Sequence, residues 1–383
     1  MPRIDNASSI IYKALRIGIT GQSGFIGTHL YNFLNLQDDI ETIPFQDENF
    51  SSELDLDNFT QQCDVIVHLA AMNRHGEEGV IYKTNVELTQ KLIDSLARTG
   101  ANPHILISSS TQEARDNEYG RSKKKAREML VEWSRRNSGR FTGLVIPNVF
   151  GPFGKPFYNS FIATFSHLLT TGGSPQLEVD AEIPLIYVQD LVTKILAVIR
   201  NKQYAEELLV EHIATAKVSG VLERLQIFDS QYRKKGIFPN FVSYFDLCLF
   251  NTYRSYLPTD YFPQLLTKHT DERGSFVETV KSFDSGQFSY STTKPGITRG
   301  DHFHLRKVER FAVIKGKARI QLRRIGSKEV INYELDGEQP AYVDMPIWYT
   351  HNITNIGEEE LVTLFWINEF FNPEDPDTFY ERV

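Results

Sequence analysis

From residue 15 to about 199, short β-branched runs alternate with longer stretches of helical periodicity. The runs fall at 16–20, 41–45, 65–69, 104–108 and 144–147, and a helical stretch opens near Gly24. Strands that succeed one another only across helices predict βαβ units and a parallel sheet. Beyond Asp271 the texture changes to short alternating strands at 276–280, 287–292, 309–314, 318–323, 329–334, 341–344 and 361–366. They are punctuated by Lys315-Gly316, Asp336-Gly337 and Ile356-Gly357. This second pattern predicts an all-β barrel or jelly roll. The segment 238–263, crowded with aromatics and prolines, reads as the linker, so the expected domains are residues 13–255 and 262–383.

A chain of 383 residues exceeds the size at which one core stops growing, which agrees with two domains. Hydrophobic residues at 41% and charged residues at 23% supply core for both and exclude extensive disorder. The net charge of -8 removes the positive field that most nucleic-acid binders use, so no nucleic-acid partner is expected. The basic run Arg121, Lys123, Lys124, Lys125, Arg127 reads as a solvated helix face, apart from one lysine. Cys63 and Cys248 make neither a disulfide framework nor a zinc spacing. Residues 1–12 hold no apolar run of signal-peptide length, and nowhere do ~18 apolar residues follow one another. A cytoplasmic location with no membrane partner is the expectation.

Directly after the first strand comes Thr20-Gly21-Gln22-Ser23-Gly24-Phe25-Ile26-Gly27, running into a helix. Glycines at such a turn let backbone approach a pyrophosphate, and the helix start offers unpaired N–H groups. Gly21, Ser23, Gly24, Phe25, Ile26 and Gly27 are therefore candidate cofactor contacts. The TGxxGFIG spacing resembles that of the extended short-chain dehydrogenases/reductases, an α/β Rossmann-type family. His68-Leu69-Ala70-Ala71 resembles the segment with which that family lines its cofactor, which implies roles for Leu69, Ala70 and Ala71. Gln46-Asp47 stands marginally where an acidic residue would bind a ribose hydroxyl, so the residues leave NADH and NADPH both open.

Tyr119 and Lys123 stand at i and i+4, one above the other on a helix. An ammonium there favours the phenolate, which fits the tyrosine for passing a proton to a carbonyl oxygen as hydride arrives. The strand end Ser108-Ser109-Ser110-Thr111 supplies a hydroxyl for the same oxygen. Resemblance to the family points to Ser110, with Ser109 and Thr111 as rivals. Only eight residues separate Ser110 from Tyr119, which shortens the usual substrate loop. Thr111-Gln112 replaces the Asp-Glu pair of the family's dehydratases, so the pair for 4,6-dehydration is missing. Pro147-Asn148-Val149-Phe150-Gly151-Pro152 resembles the NVYGP segment of nucleotide-sugar reductases and epimerases, adding Pro147 and Asn148 to the cofactor contacts. The segment 186–192 resembles their YVDD segment.

In the second half, Gly296-(x5)-His302-x-His304-(x4)-Glu309-(x6)-Gly316 has the spacing of the first cupin motif. Pro346-x-Trp348-x2-His351-x3-Asn355 has that of the second, with tryptophan in place of its glycine. His302, His304, Glu309 and His351 inside a β-barrel make a ligand set for a divalent metal. Zinc suits them; iron, manganese and nickel fit the same donor types. The segments 271–276 and 296–304 also resemble the metal-free 3,5-epimerases of nucleotide-linked 4-keto-6-deoxyhexoses, in which the residue matching His302 is a base. His304, which replaces a glutamine there, adds a ligand and favours metal.

From Leu15 to the C-terminus the chain resembles the bifunctional capsular-polysaccharide enzymes, on Asp116-Asn117-x-Tyr119-Gly120, Tyr158-Asn159-Ser160, Ser255-Tyr256-Leu257-Pro258 and Lys294-Pro295-Gly296-Ile297-Thr298. The resemblance implies a homodimer acting on a UDP-linked 4-keto-6-deoxy-N-acetylhexosamine. The cupin would epimerise C3, and the reductase domain would reduce the C4 ketone with NADPH. The product would be UDP-N-acetyl-6-deoxy-L-talosamine, the precursor of UDP-N-acetyl-L-fucosamine. The competing expectation is an NAD-dependent 4-epimerase with a structural or sugar-binding cupin.

Overall fold

All four residues from Ile17 to Thr20 of strand β1 (Leu15–Thr20) are buried, as a strand covered on both faces requires. The computed structural model describes residues 14–272, 274–283 and 285–383; Arg273 and the expected domain start at residue 13 lie outside them. With β2 (Ile40–Ile43), β3 (Val65–His68), β4 (His104–Ser110), β5 (Arg140–Ile146) and the strand Ala205–Leu209, β1 forms a six-stranded parallel sheet. Its order is β2, β1, β3, β4, β5, then Ala205–Leu209. Helices α1 (Phe25–Leu34), α2 (Glu53–Gln62), α3 (Val80–Thr99) and α4 (Glu118–Asn137) alternate with the strands. This is the Rossmann-type sheet that the alternation predicts. β2 stops at Ile43, short of the expected residue 45, because Pro44 has no N–H for the ladder. β5 starts at Arg140, before the expected 144, since β4 draws Arg140 to Gly143 into register although their apolar pattern is broken.

The chain divides into two compact units, one of residues up to Asn148 with Val188–His212, the other of Val149–Tyr187 with Ile213–Val383. In the second unit, helices Phe161–Thr170, Val218–Phe228 and Tyr244–Arg254 surround a core rich in aromatics, among them Phe150, Tyr187, Phe228, Tyr232, Phe238 and Phe250. The segment 238–263, whose texture reads as a linker, belongs to this packing. Nine of the eleven residues of Tyr244–Arg254 are buried, so its aromatics are core rather than tether.

Besides smaller two- and three-stranded pairings, the second unit holds two antiparallel five-stranded sheets. One runs Gln264–Leu265, Ala341–Met345, Glu309–Lys315, Leu361–Ile367, Gln287–Thr293; the other runs Val330–Asp336, Lys317–Arg324, Tyr349–Asn355, Thr298–Phe303, Phe379–Tyr380. This is the all-β expectation for the C-terminal part. Thr298–Phe303 and Tyr349–Asn355 were not among the strands expected from alternation. They carry charged and histidine side chains where apolar ones would mark a strand. Among the described residues no helix is long and apolar enough to cross a membrane.

Successive strand residues face opposite ways. Arg310, next to Glu309, is 1% exposed and forms a bidentate pair with Asp344 at 2.7 and 2.9 Å. Tyr232 donates to the same carboxylate at 2.6 Å, and the guanidinium lies between the rings of Phe238 and Tyr342. Asp344→Ala leaves a buried guanidinium without its carboxylate and should cost about 3–5 kcal/mol in chemical denaturation. A loss below about 1 kcal/mol would show that the pair is not what joins the sheet to the aromatic core.

Candidate functional site

Gly21 sits at φ +71, and a Cβ there would come within 2.8 Å of the backbone of Ala70. The turn after β1 and the segment after β3 therefore touch through a residue that must be glycine. Gly24 begins α1 without a side-chain cap and without an acidic residue in the first turn, so the helix start keeps its anion-attracting character. Ser23 and Gly24 are exposed, Phe25 and Ile26 half-buried, and Gly27 buried. Leu69, Ala70 and Ala71 are half-buried beside this turn, with the Leu69 amide bonded to the Thr20 carbonyl at 3.1 Å. Pro147 is buried at the end of β5, and Asn148 after it is half-buried. Asp47 is exposed in the short helical segment Asp47–Ser51. Next to the turn, His68 is held between Thr20 and Thr89 at 2.7 and 3.3 Å, and burial pushes its pKa down to about 3, so it stays neutral.

Tyr119 and Lys123 occupy the first two turns of α4, whose N-terminus is capped by Asn117 accepting from the Gly120 amide at 2.7 Å. A Cβ on Gly120 would lie 2.1 Å from the Gln112 carbonyl, so this glycine lets α4 close against the short connection from β4. Lys123 is 3% exposed and donates to Ser108 at 3.3 Å; burial pushes its pKa down to about 8 against the pull of Glu113. Ser108 and Ser110 share one face of β4, and Ser109 points the other way. Ser109 donates to Glu113, which Arg127 holds at 2.7 Å. Ser110 accepts from the Gln112 amide at 3.2 Å, leaving its hydroxyl hydrogen for another acceptor. The Ser108–Lys123 contact and the Ser109–Glu113–Arg127 network were not read from sequence. The strand-face alternation could have separated Ser109 from Ser110.

The second cluster lies inside the antiparallel sheets, with His304, Glu309 and His351 buried and His302 half-buried. One ligand atom from each of His302, His304, Glu309 and His351 lies within 4.8 Å of all the others. Glu309 Oε2 is 3.1 Å from His304 Nε2 and 3.3 Å from His351 Nε2, the latter without hydrogen-bond geometry. The Nδ1 of His304 faces the Asp377 carbonyl at 2.5 Å, and that of His351 faces the Tyr349 carbonyl at 3.2 Å. A carbonyl only accepts, so each Nδ1 carries a hydrogen; the Nε2 of His304 meets Glu309 as a second N–H donor when that ring is protonated, while the Nε2 of His351 has no hydrogen-bond partner. The buried carboxylate calls for positive charge beside it, a proton on His304 or a cation among the four donors, and the donor set fits a divalent metal. Charge follows the same demand. Burial works against both ions, yet His304 and His351 hold the Glu309 carboxyl well below its usual range, and Glu309 holds His304 above its own. Burial, His351 and His304 push His302 down to about 4, leaving it a neutral donor.

Local backbone aims these groups. The register between Thr298–Phe303 and Tyr349–Asn355 shifts between Gly300 and His302, and this bulge at Asp301 turns His302 to face His351. Trp348 has φ +62, which explains the glycine of the second cupin motif; its ring is buried and stacked on Phe303. Asp377 accepts from three consecutive amides, Leu305 to Lys307, each at 3.0 Å, while its own carbonyl orients His304. Nothing in the sequence signals that aspartate, 73 residues from His304.

Residues 17–210 match the NAD dependent epimerase/dehydratase family, and residues 269–379 match the polysaccharide biosynthesis C-terminal domain. A UDP-2-acetamido-2,6-beta-L-arabino-hexul-4-ose reductase of Pseudomonas aeruginosa is 37% identical over 367 residues, 95% of this chain and 98% of its own length. The spore coat polysaccharide biosynthesis protein SpsL of Bacillus subtilis is 29% identical over 122 residues, 29% of this chain and 81% of its own. Among solved structures, the capsular polysaccharide assembling protein CapF from Staphylococcus aureus superposes with a TM-score of 0.63 at 34% identity, covering 96% of this chain and all of that one.

Two outcomes test the side-chain assignments. Ser110→Ala should lower turnover of a 4-keto nucleotide sugar by roughly 10²-fold in steady-state kinetics, and Ser109→Ala by only a few-fold; the reverse order would make Ser109 the reacting hydroxyl. Elemental analysis should find about one equivalent of divalent metal per chain, lost in Glu309→Ala or His351→Ala. Freshly purified protein without metal would return the cluster to the metal-free arrangement.

Proposed function

On the premise that the chain belongs to the NAD dependent epimerase/dehydratase family and carries a polysaccharide biosynthesis C-terminal domain, we propose a bifunctional nucleotide-sugar enzyme. Its barrel, residues 262–383, epimerises C3 of a UDP-2-acetamido-2,6-dideoxy-4-keto-hexose. The residues up to 255 then reduce the C4 ketone with NADPH. One observation carries the reading: a chain with the reductase residues Tyr119 and Lys123 also gathers His302, His304, Glu309 and His351 into one cluster, which a reductase alone does not need. The extensive likeness to the P. aeruginosa reductase supports the same substrate class. Both cysteines are free and buried, in keeping with a reducing compartment such as the cytoplasm, where we expect a homodimer.

A single ketone serves both steps. It acidifies the neighbouring C3–H, and afterwards it is the group that accepts hydride. In the barrel, His302, His304, Glu309 and His351 would hold the metal, which when bound supplies positive charge for the enolate oxygen. The barrel walls exclude water around the cluster, since His351 is fully buried and His304 and Glu309 nearly so. In the first unit, the glycine turn and residues 69–71 would hold the dinucleotide, whose nicotinamide supplies the hydride. Tyr119 gives its phenolic proton to the C4 oxygen and is reprotonated from solvent. The Lys123 ammonium lowers the cost of the transient phenolate, and Ser110 donates to the same oxygen.

The division of labour is tested in heavy water. Without NADPH, the full-length protein should exchange deuterium into C3 of the 4-keto sugar, followed by NMR. His351→Ala should lose this exchange and keep NADPH oxidation with a pre-epimerised substrate. Tyr119→Phe should keep the exchange and lose roughly 10²–10⁴-fold in reduction. Exchange that survives in His351→Ala and vanishes in Tyr119→Phe would place both chemistries in the N-terminal part.

A further inference from the structure

Two adjacent arginines end the strand Lys317–Arg324, and they are treated differently. Arg323 is paired with Glu381 at 2.7 Å and with the Ser327 carbonyl at 3.1 Å. Arg324 is half-buried, and among the described residues it has no carboxylate within ion-pairing distance and no hydrogen bond to its guanidinium. Its guanidinium carbon instead lies 3.8 Å from the centre of the Phe153 ring, and the charged or polar groups that face it are the phenols of Tyr349 and Tyr256. Phe153 also meets Tyr349, at 6.2 Å between ring centres. Burying a guanidinium with no anion is costly, and cation–π contact offsets only part of that cost.

Register places this cation with respect to the His/Glu cluster. Arg324 is opposite Tyr349, Leu322 opposite His351, and Ile320 opposite Ile353. Cross-strand partners and every second residue share a face. Ile320, Leu322 and Ile353 belong to the buried core of the barrel, so Arg324 and Tyr349 lie on the inner face too, two residues along from His351. That step is about 7 Å, comparable with a hexose ring and its glycosidic oxygen. The fork of an arginine matches a phosphate group and is only weakly hydrated, so it tolerates partial burial while awaiting an anion.

The geometry points to an anion subsite at Arg324, flanked by Tyr349 and Phe153, that takes a phosphate group of the UDP-linked sugar while its ring lies at the cluster. This rests on the barrel being the epimerising site. It goes beyond that reading by naming what makes the barrel select a nucleotide-linked sugar over a free one.

The full-length, metal-loaded protein provides the test. In the heavy-water exchange assay without NADPH, Arg324→Gln should raise the KM of the UDP-linked 4-keto sugar by about 10-fold or more with kcat within a few-fold, and Arg324→Lys should recover part of the loss. Metal content and melting temperature equal to the unaltered protein establish that the variant is folded. An unchanged KM overturns the subsite. In the unaltered protein, which needs no folding control, inorganic pyrophosphate should inhibit exchange competitively; absence of inhibition counts against it. If the unaltered protein shows no exchange at all, the epimerase reading fails separately, and the subsite is then read by titration. Loss of one UDP-binding event in Arg324→Gln supports it, and identical isotherms overturn it. Loss of inorganic phosphate binding with UDP binding intact would make Arg324 a free-phosphate site and overturn the substrate assignment.

Discussion

Inside the barrel, one carboxylate oxygen of Glu309 faces the Nε2 atoms of His304 and His351, at 3.1 and 3.3 Å. A buried carboxylate needs positive charge beside it, and a proton on His304 or a cation among the four donors would meet that demand. Backbone carbonyls of Asp377 and Tyr349 hold the Nδ1 side of each imidazole, so each Nε2 stays aimed at Glu309. The bulge at Asp301 and the left-handed Trp348 are local backbone costs that bring the histidines to face each other. The strain is carried by packing, since Trp348 is stacked on Phe303, which is itself stacked on Phe379.

The outer face of the same sheet solves a comparable problem differently. Glu309 looks into the barrel and Arg310 looks out, yet both are buried and charged. Arg310 has its full complement in Asp344, the Gly236 carbonyl and two aromatic rings, so it needs nothing further. The buried Nε2 of His351 has no hydrogen-bond partner, and Arg324 has no carboxylate within ion-pairing distance among the described residues. Buried groups whose partners are missing from the fold are the ones through which cofactor and substrate would complete it.

The first unit separates structure from chemistry along one strand end. Ser109 turns into the Glu113–Arg127 network and holds the connection to α4 in place. Ser108 and Ser110 turn toward the buried Lys123 side, where the ammonium's lowered pKa, about 8, reflects how completely it is withdrawn from water. Because only eight residues join Ser110 to Tyr119, the close approach of Gly120 to Gln112 is what brings strand end and helix together.

The parallel sheet, the glycine turn, the tyrosine–lysine pair and the four metal-type residues are all legible in the amino-acid sequence, because each depends on short-range period or spacing. Alternation around Ile17, a turn at Gly21 and an i, i+4 helix pair are local properties that the chain carries wherever it folds. What was not legible lies between residues far apart in the chain. The strands carrying His302 and His351 show no alternation of their own, and become strands because Lys317–Arg324 and each other offer partners. The aromatic segment 238–263 reads as a linker until Phe238 and Phe250 are seen to fill a core. Asp377 orients His304 across 73 residues, and Arg324 reaches the inner face of the barrel only through its register with Tyr349. Spacing along the chain determined which chemical groups are present. Pairing across it decided which of them were satisfied, because a hydrogen bond or ion pair between distant segments is set by where the backbone brings them and not by either segment alone.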